Sequence, residues 1–215
     1  MKYVFMDLDG TITNPKEGIT KSIQYSLDFL GIKVDNLDTL TIHIGPPLVD
    51  TFKEYYGFDE EKTKEAVKKY KERYIEVGWC ENIVYEGMED TLKSLTEAGK
   101  KLIVATSKPE SMAKKILDHY NLSQYFTDIC GSADNGDRAK KHEVIQYAMD
   151  KNAITDRDEI IMVGDRSYDI LGAKKLGIKS IGVLYGFGNL KEFEDAGANY
   201  IAKTVSEMRD ICFAL

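Results

Sequence analysis

The sequence predicts an α/β protein in which a doubly wound parallel sheet carries an inserted α-helical domain. Three observations lead to this prediction. A short apolar segment, residues 3–6, is followed at once by acidic residues; residues 15–85 show helical spacing without a buried strand; strand and helix patterns alternate from residue 86 onward. Repeated strand–helix units form parallel sheets with right-handed crossovers, so the alternating segment supplies most of the sheet.

Size, composition and charge bound the classes of partner. The chain has 215 residues, of which 43% are hydrophobic and 30% charged, which suits one large domain or two small ones with an apolar core. A net charge of −7 disfavours binding to polymeric nucleic acid or to an anionic membrane. No apolar run approaches the roughly 18 residues that a membrane-spanning helix needs. The composition and the negative net charge remain compatible with a small phosphorylated substrate.

The N-terminus and the cysteines favour a cytoplasmic location. Lys2 is followed by only four apolar residues before Asp7, which is too short a run for a signal peptide. The three cysteines are far apart and show neither disulfide nor zinc-ligand spacing, as expected in a reducing compartment. The oligomeric state stays open between a monomer and a homodimer.

The apolar run Tyr3–Met6 ends at two carboxylates, Asp7 and Asp9, which are followed by Gly10 and Thr11. Four apolar residues in a row indicate a strand that is buried on both faces of a parallel sheet. Open α/β sheets hold their ligands at the carboxyl edge. Two carboxylates crowded there repel each other unless a cation lies between them or one keeps a proton, which outlines a Mg²⁺ site. The alternative is an ordinary Asp-Gly turn that closes a hairpin.

The helical segment and the alternating segment define two predicted domains. Residues 1–14 and 86–215 form the sheet domain, and residues 15–85 form the helical domain. Apolar residues at helical spacing, together with glycine and proline stops, predict helices over 19–30, 48–56 and 59–77 in the helical domain. In the sheet domain we expect strands over 101–105, 126–130, 160–163, 178–184 and 200–201, and helices over 88–98, 109–119, 141–151, 167–176 and 206–213.

Polar residues gather where these predicted strands end. The first strand is followed by Asp7 and Asp9, the second by Thr106-Ser107-Lys108, and a later one by Gly164-Asp165 through Asp169. The carboxyl ends of parallel strands share one edge, so we expect these side chains to meet there. An aspartate can attack phosphorus, a second acid can move the proton of the leaving oxygen, and a lysine with hydroxyl groups can hold phosphoryl oxygens.

These motifs, in this order, resemble those of the haloacid dehalogenase superfamily of phosphatases. Asp7 to Thr13 matches its first motif, Asp-x-Asp-Gly-Thr, and Thr106 after an apolar strand matches its second. Lys141 at a helix start fits the third motif, and Gly164-Asp165 through Asp169 matches the fourth. The resemblance spans the whole chain and implies a Rossmann-like core with an inserted helical cap that closes over the substrate.

The resemblance also implies a role for each motif residue. Asp7 would be the nucleophile and a Mg²⁺ ligand, and Asp9 the general acid/base whose backbone carbonyl binds the metal. Thr106 and Lys141 would bind the phosphoryl group. Asp165 would ligate Mg²⁺, and Asp169 would do so directly or through water. The residues expected around the phosphate or substrate are Gly10, Thr11, Ser107 and Lys108, together with Gly45 in a helical-domain segment that resembles the cap of related phosphatases.

The third motif is a lone lysine, and two residues compete for it. Lys140 and Lys141 are adjacent, and Lys141 is preferred because an amphipathic helix pattern begins directly after it.

The function implied is Mg²⁺-dependent hydrolysis of small phosphate monoesters through an aspartyl phosphate, in the branch that contains phosphoglycolate phosphatases and 5′-nucleotidases. A sugar phosphomutase, similar to β-phosphoglucomutase, would share all four motifs. A non-catalytic, receiver-like phosphate-binding module is a further alternative, although such a module has no need of a helical insert. The sequence leaves open which phosphate ester is the substrate.

Overall fold

The computed structural model describes residues 1–135 and 137–215. The chain divides into an α/β unit, Met1–Asn14 with Val84–Leu215, and a helical unit, Pro15–Ile83. The strands are β1 (Tyr3–Met6), β2 (Thr13–Asn14), β3 (Ile83–Val84), β4 (Lys101–Pro109), β5 (Phe126–Ser132), β6 (Ile160–Gly164), β7 (Lys179–Val183) and β8 (Tyr200–Ala202). The α-helices are α1 (Lys16–Phe29), α2 (Leu48–Asp50), α3 (Glu60–Arg73), α4 (Met88–Glu97), α5 (Glu110–His119), α6 (Lys141–Lys151), α7 (Ser167–Lys175), α8 (Leu190–Ala196) and α9 (Val205–Ala214).

The α/β unit is built on a six-stranded sheet with the order β5-β4-β1-β6-β7-β8. All its pairings are parallel, and Tyr3 of β1 is in register with Lys101 on one side and Ile160 on the other. The strand order reverses direction next to β1, which is the doubly wound arrangement. The predicted fold class is therefore confirmed. Because β1 has parallel partners on both sides, the Asp9-Gly10 turn does not close a hairpin.

The central strand of this sheet is buried on both faces. Val4, Phe5 and Met6 of β1 are each 1% exposed or less. Phe5 belongs to an apolar cluster that also holds side chains from β4, β6, α6 and α7. The continuous apolar run in the sequence follows from this position, since a central strand between two helical layers has no face that contacts water.

Strand β4 is longer than predicted. It continues to Pro109, where the sequence predicted an end at Ala105, and α5 begins only at Glu110. The register with β5 shifts between Ala105 and Pro109, and Pro109 then pairs with Ser132. The polar residues of this segment lie at the sheet edge that holds the acidic side chains, so their polarity does not mark the end of extended backbone.

Helix α8 was absent from the prediction because its short sequence shows no clear apolar period. Its ends nevertheless carry local signals. Asn189 precedes the helix, and its Oδ1 accepts a hydrogen bond from the Glu192 amide at 3.0 Å. Gly197 ends the helix with a left-handed φ of 83°. An N-cap asparagine and a C-terminal glycine together predict a helix even where periodicity does not.

The helical unit is held by apolar packing and by polar ties between its helices. Ile23 and Leu27 of α1 are fully buried, and the Ser26 hydroxyl donates to the Ala66 carbonyl in α3 at 2.7 Å. Arg73 at the end of α3 forms a two-point ion pair with Glu81, with N–O distances of 2.8 and 2.9 Å. Such a planar pair adds direction as well as energy to the packing.

Two predicted helices of this unit change type along their length. The helix expected over 48–56 is α2 followed by a π-helical segment, Thr51–Tyr55. The helix expected over 59–77 is α3 followed by a second π-helical segment, Tyr74–Gly78. A 3₁₀ helix, Leu37–His43, was not predicted. Backbone hydrogen-bond type within a helix depends on packing, which a residue pattern does not encode.

Among the helices that the structure describes, none is long and apolar enough to cross a membrane.

We predict that Asn189→Ala lowers the free energy of unfolding by about 1 kcal/mol, because it removes the side-chain acceptor at the start of α8. Asn189→Ser keeps an acceptor there and should change stability far less. Urea unfolding of both variants measures the difference. Equal losses in the two variants would contradict the capping role of Asn189.

Candidate active site

Adjacent strands bring three buried aspartates together. Asp7 follows β1 directly and Asp165 follows β6 directly, and the Asp7 amide donates to the Val163 carbonyl of β6 at 2.9 Å. Asp169 lies in the first turn of α7. One carboxylate oxygen from each of these aspartates lies within 4.8 Å of the others, and all three side chains are buried. The cluster lies at the carboxyl edge of the sheet, where the strand order reverses.

Lys141 is the cation of this cluster. Its Nζ lies 2.9 Å from Asp7 Oδ1 and 2.8 Å from Asp169 Oδ1, and it donates to the Ala105 carbonyl at 3.1 Å. Lys141 is the first residue of α6 and is buried, whereas Lys140 is exposed. The Lys141 stem packs against Gly172 of α7, where a Cβ atom would lie 2.9 Å from Lys141 Cγ. The structure thus brings Lys141, and not its neighbour, to the aspartates.

Asp9 is the fourth carboxylate of this edge, and Lys108 holds it. Lys108 Nζ lies 2.5 Å from Asp9 Oδ2, and both side chains are largely buried. The other Asp9 oxygen, Oδ1, is buried and has no hydrogen-bond partner within residues 1–135 and 137–215. Burial raises the pKa of Asp9 above its ordinary value, although the Lys108 ammonium opposes this shift. Lys108 was expected near the phosphate, and the structure places its ammonium against Asp9.

The remaining predicted residues divide between the two units. Thr106 is 1% exposed, and its Oγ1 accepts from the Lys108 amide at 3.3 Å. Thr11 is fully buried in the turn after β1, and Ser107 lies partly buried beside Thr106 in β4. Gly45 belongs to the helical unit, where its φ of 109° accounts for a glycine. Its role toward a substrate stays a prediction.

Gly10 allows the turn after β1 to approach Asp165. Its φ is 82°, a left-handed value that favours glycine, and a Cβ atom there would lie 2.0 Å from Asp165 Oδ2. Gly164 serves Asp169 in the same way, since its Cβ atom would lie 2.1 Å from Asp169 Cγ. Both glycines leave room for a carboxylate rather than for a side chain of their own.

The segment after β7, residues 185–188, reaches the same cluster and was not predicted to do so. The Phe187 amide donates to Asp165 Oδ2 at 2.9 Å. A Cβ atom on Gly186 would lie 2.3 Å from Asp165 Cβ, and one on Gly188 would lie 2.2 Å from the Asp165 carbonyl oxygen. Two glycines around one residue directly after a strand pattern were the available signal for such a close approach.

Glu192 of α8 supports the start of α7. Its Oε1 accepts from the Ser167 amide at 2.7 Å and from Arg166 Nε at 3.1 Å. The Asp169 side chain also accepts from the Arg166 amide at 3.1 Å. These bonds satisfy amides at the start of α7 and fix the turn that carries Asp169. Sequence reasoning missed Glu192 because the whole of α8 was missed.

Negative charge exceeds positive charge in the buried cluster. Burial raises the pKa of Asp165 well above its ordinary value, and the neighbouring Asp169 and Asp7 add to the shift. Burial also raises the pKa of Asp169 to about 6, with Lys141 opposing. For Lys141, burial works against the charged form, but the ion pairs with Asp169 and Asp7 raise its pKa overall. Asp165 and Asp169 therefore ionise less readily than free aspartates do.

The donor set fits a hard divalent cation. Asp165 Oδ1 is buried and accepts no hydrogen bond from the residues that the structure describes, although a buried carboxylate oxygen ordinarily requires a partner. Carboxylate oxygens are the ligands that Mg²⁺ takes in proteins, usually one or two of them together with water and phosphate oxygens. The cluster of Asp7, Asp165 and Asp169 can hold such an ion.

The site is a buried cluster of carboxylates with one lysine at the carboxyl edge of a parallel α/β sheet. Residues 4–183 match the family described as haloacid dehalogenase-like hydrolase. The chain belongs to this family, as its motifs predicted, and it is a hydrolase of the phosphatase class.

Named relatives and a solved structure cover almost the whole chain. A 5′-nucleotidase from Pseudomonas aeruginosa is 39% identical over 97% of this chain and 94% of its own length. Tyrosine-protein kinase PtkA from Mycobacterium tuberculosis is 34% identical over 96% of this chain and 71% of its own length. The crystal structure of a predicted phosphatase from Clostridium acetobutylicum superposes with a TM-score of 0.97 at 47% identity, covering 100% of this chain and 99% of that one.

We predict that the metal-free protein loses stability as pH rises from about 4 to beyond 6. The pKa values of Asp165 and Asp169 are raised from 3.8 in the folded state, so the folded state binds more protons across this window than the unfolded chain does. The free energy of unfolding then falls as pH rises. Melting temperatures in EDTA between pH 4 and pH 8 measure this fall.

Asp165→Asn is the control for that measurement. It removes one buried carboxylate, so it should raise the melting temperature of the metal-free protein at pH 8 and flatten its dependence on pH. Mg²⁺ should stabilise the wild-type protein more at pH 8 than at pH 5, and should stabilise Asp165→Asn less. If the melting temperatures of the wild type and the variant changed with pH in the same way in EDTA, the excess negative charge of this cluster would not be the cause of the pH dependence.

We predict that Gly10→Ala lowers kcat/KM on the order of 10²-fold, because the new methyl group displaces the Asp165 carboxylate and an error of about 1 Å in a catalytic group costs that much. Gly99→Ala is the matched control. Gly99 has nearly the same φ, 83°, but a Cβ atom there meets nothing within 4 Å. Both variants carry the same backbone strain, so a difference in activity reports the contact with Asp165. Equal activities would argue against it.

Proposed function

We propose that the protein hydrolyses small phosphate monoesters in the cytoplasm, with Mg²⁺ as cofactor and through phosphorylation of Asp7. One observation carries this proposal. Lys141 binds one oxygen of Asp7 at 2.9 Å, while the same carboxylate shares a cluster with two buried aspartates that can bind a cation. A carboxylate held in this way is oriented as a nucleophile and not merely as a surface charge.

The residues divide the reaction into two displacements. In the first, a carboxylate oxygen of Asp7 forms a bond to phosphorus and the bond from phosphorus to the ester oxygen breaks. Asp9, whose raised pKa favours the protonated form, gives its proton to the leaving oxygen. In the second, Asp9 takes a proton from water, the water oxygen bonds to phosphorus, and the bond to Asp7 breaks. Inorganic phosphate and the alcohol are the products.

The other residues of the site would orient the phosphoryl group and offset its negative charge. Lys141 places a positive charge beside Asp7, where the phosphoryl oxygens would lie, and Thr106 offers a buried hydroxyl at the end of β4. Asp165 and Asp169, with Asp7, are the residues that would hold Mg²⁺. When bound, Mg²⁺ supplies positive charge that offsets the repulsion between the Asp7 carboxylate and the phosphate dianion.

We propose nucleoside 5′-monophosphates as the first substrates to test. The support is the 5′-nucleotidase from Pseudomonas aeruginosa, which is 39% identical over nearly the full length of both chains. Phosphoglycolate and hexose phosphates are the competing substrates, and a phosphomutase would act on the latter without net release of phosphate. Membership of a hydrolase family argues against a receiver-like module that only binds phosphate.

The test is phosphate release from a panel of esters, with Mg²⁺ and with EDTA. The panel holds nucleoside 5′-monophosphates, phosphoglycolate, hexose phosphates and an aryl phosphate. We expect release that requires Mg²⁺ and is fastest with a nucleotide. A preference for phosphoglycolate would keep the chemistry and replace the substrate. Conversion between hexose phosphates without release would replace the hydrolase by a mutase.

We predict that Asp7→Asn lowers kcat on the aryl phosphate at least about 10⁴-fold, since an amide is not a nucleophile toward phosphorus. Asp195→Asn is the control: Asp195 is an exposed partner of Lys191 in α8, so its loss should leave kcat unchanged. Mass spectrometry after rapid quenching should detect a phosphorylated Asp7 in the wild type. An active Asp7→Asn variant would refute the aspartyl-phosphate route.

A further inference from the structure

Tyr185 makes a hydrogen bond whose position is unusual for a tyrosine at the end of a strand. Its hydroxyl donates to the carbonyl oxygen of Thr11 at 3.1 Å, across a separation of 174 residues. Thr11 belongs to the turn that follows β1 and carries Asp9. Tyr185 itself follows β7, two residues before the amide that holds Asp165. The segment 185–188 therefore contacts two of the acidic loops at once.

The turn that Tyr185 contacts is tightly organised. The amides of Ile12 and Thr13 both donate to the Leu8 carbonyl, at 2.9 and 3.0 Å, and the Gly10 amide donates to the Thr13 carbonyl at 2.7 Å. The Thr11 carbonyl is a further acceptor of this turn, and the Tyr185 hydroxyl satisfies it. Because these bonds lie within one short turn, an outside contact is needed to fix the turn relative to the neighbouring loops.

Segment 185–188 provides that outside contact at short range. A Cβ atom on Gly186 would lie 2.4 Å from the Gly10 carbonyl oxygen and 2.3 Å from Asp165 Cβ. The backbone of Gly186 is thus packed between the turn after β1 and the residue after β6. Tyr185 adds a directed bond on the same side.

The ring of Tyr185 is fixed as well as its hydroxyl. It packs edge-to-face on Tyr85, with ring centroids 4.9 Å apart and an interplanar angle of 67°. The Tyr85 amide in turn donates to the Ile12 carbonyl at 3.2 Å, in the same turn. Burial raises the pKa of Tyr185 well above its ordinary value, and the phenol therefore stays protonated and able to donate.

We propose that Tyr185 is a positioning residue of the metal site: its hydroxyl fixes the turn that carries Asp9 relative to the loop that carries Asp165, so that the carboxylates of both loops stay close enough to bind one cation. This inference rests on the proposed function, since it concerns the same Mg²⁺ site. Tyr185 acts through the Thr11 carbonyl and touches no metal ligand itself. Bonds of this kind around metal ligands typically change metal affinity by about 10–100-fold.

The test compares Tyr185→Phe with Tyr125→Phe. The first variant removes the hydroxyl and keeps the ring on Tyr85. The second removes an exposed hydroxyl of the same unit, which donates to Glu89 at 3.1 Å. Calorimetric titration of each metal-free protein with Mg²⁺ gives the dissociation constant, and melting temperatures in EDTA report the fold. Hydrogen exchange of the amides of residues 10–13, without metal, reports the order of the turn.

We expect Tyr185→Phe to weaken Mg²⁺ binding about tenfold, to speed exchange at residues 10–13, and to regain much of its lost activity at high Mg²⁺. Its melting temperature in EDTA should fall by only about 2–4 °C, as the loss of one hydrogen bond predicts, and Tyr125→Phe should keep the Mg²⁺ affinity of the wild type. Unchanged affinity and exchange in Tyr185→Phe would overturn the positioning role and leave the proposed function intact. A wild type that binds no Mg²⁺ would overturn the proposed function, and the positioning role with it.

Discussion

The site depends on one buried ammonium group. Lys141 lies between Asp7 and Asp169, with Nζ–O distances of 2.9 and 2.8 Å, and donates its third bond to the Ala105 carbonyl. Without it, three carboxylates would be crowded together in a buried position, at a cost of several kcal/mol for each ion. The start of α6 places Lys141 beside the aspartates, and the absence of a side chain at Gly172 leaves room for the Lys141 stem. The negative charge that Lys141 leaves unbalanced would favour a bound cation at this edge.

Much of this arrangement could be predicted from the residues alone because a parallel sheet gathers all its carboxyl ends at one edge. The polar residue that follows each apolar strand therefore lies at this edge, as Asp7 and Asp165 do. The preference for Lys141 over Lys140 rested on the amphipathic helix pattern that follows Lys141, and in the structure Lys141 is buried whereas Lys140 is exposed. The doubly wound order follows from the same alternation of strands and helices.

What the sequence did not predict consists of contacts made by backbone atoms or by distant side chains. The Phe187 amide donates to Asp165. Because every residue except proline carries such an amide, the residue type at position 187 does not indicate this hydrogen bond. Glu192 supports α7 from a helix too short to show a period. The bond between Lys108 and Asp9 joins residues 99 positions apart, and a lysine among hydroxyls was equally suited to bind phosphate directly. Strand β4 extends past Ala105 because it continues to pair with β5, and strand pairing depends on both segments rather than on the sequence of β4 alone.

The central place of β1 has a consequence for how the chain is made. Tyr3 is synthesised long before its partners in the sheet, which are Lys101 and Ile160. The nascent chain therefore carries an apolar strand with no neighbour through most of translation. Pairings so distant in sequence close slowly, and an unpaired apolar strand is prone to aggregation and to capture by chaperones. Chains that terminate early would be cleared as misfolded species rather than persist as partly active enzymes.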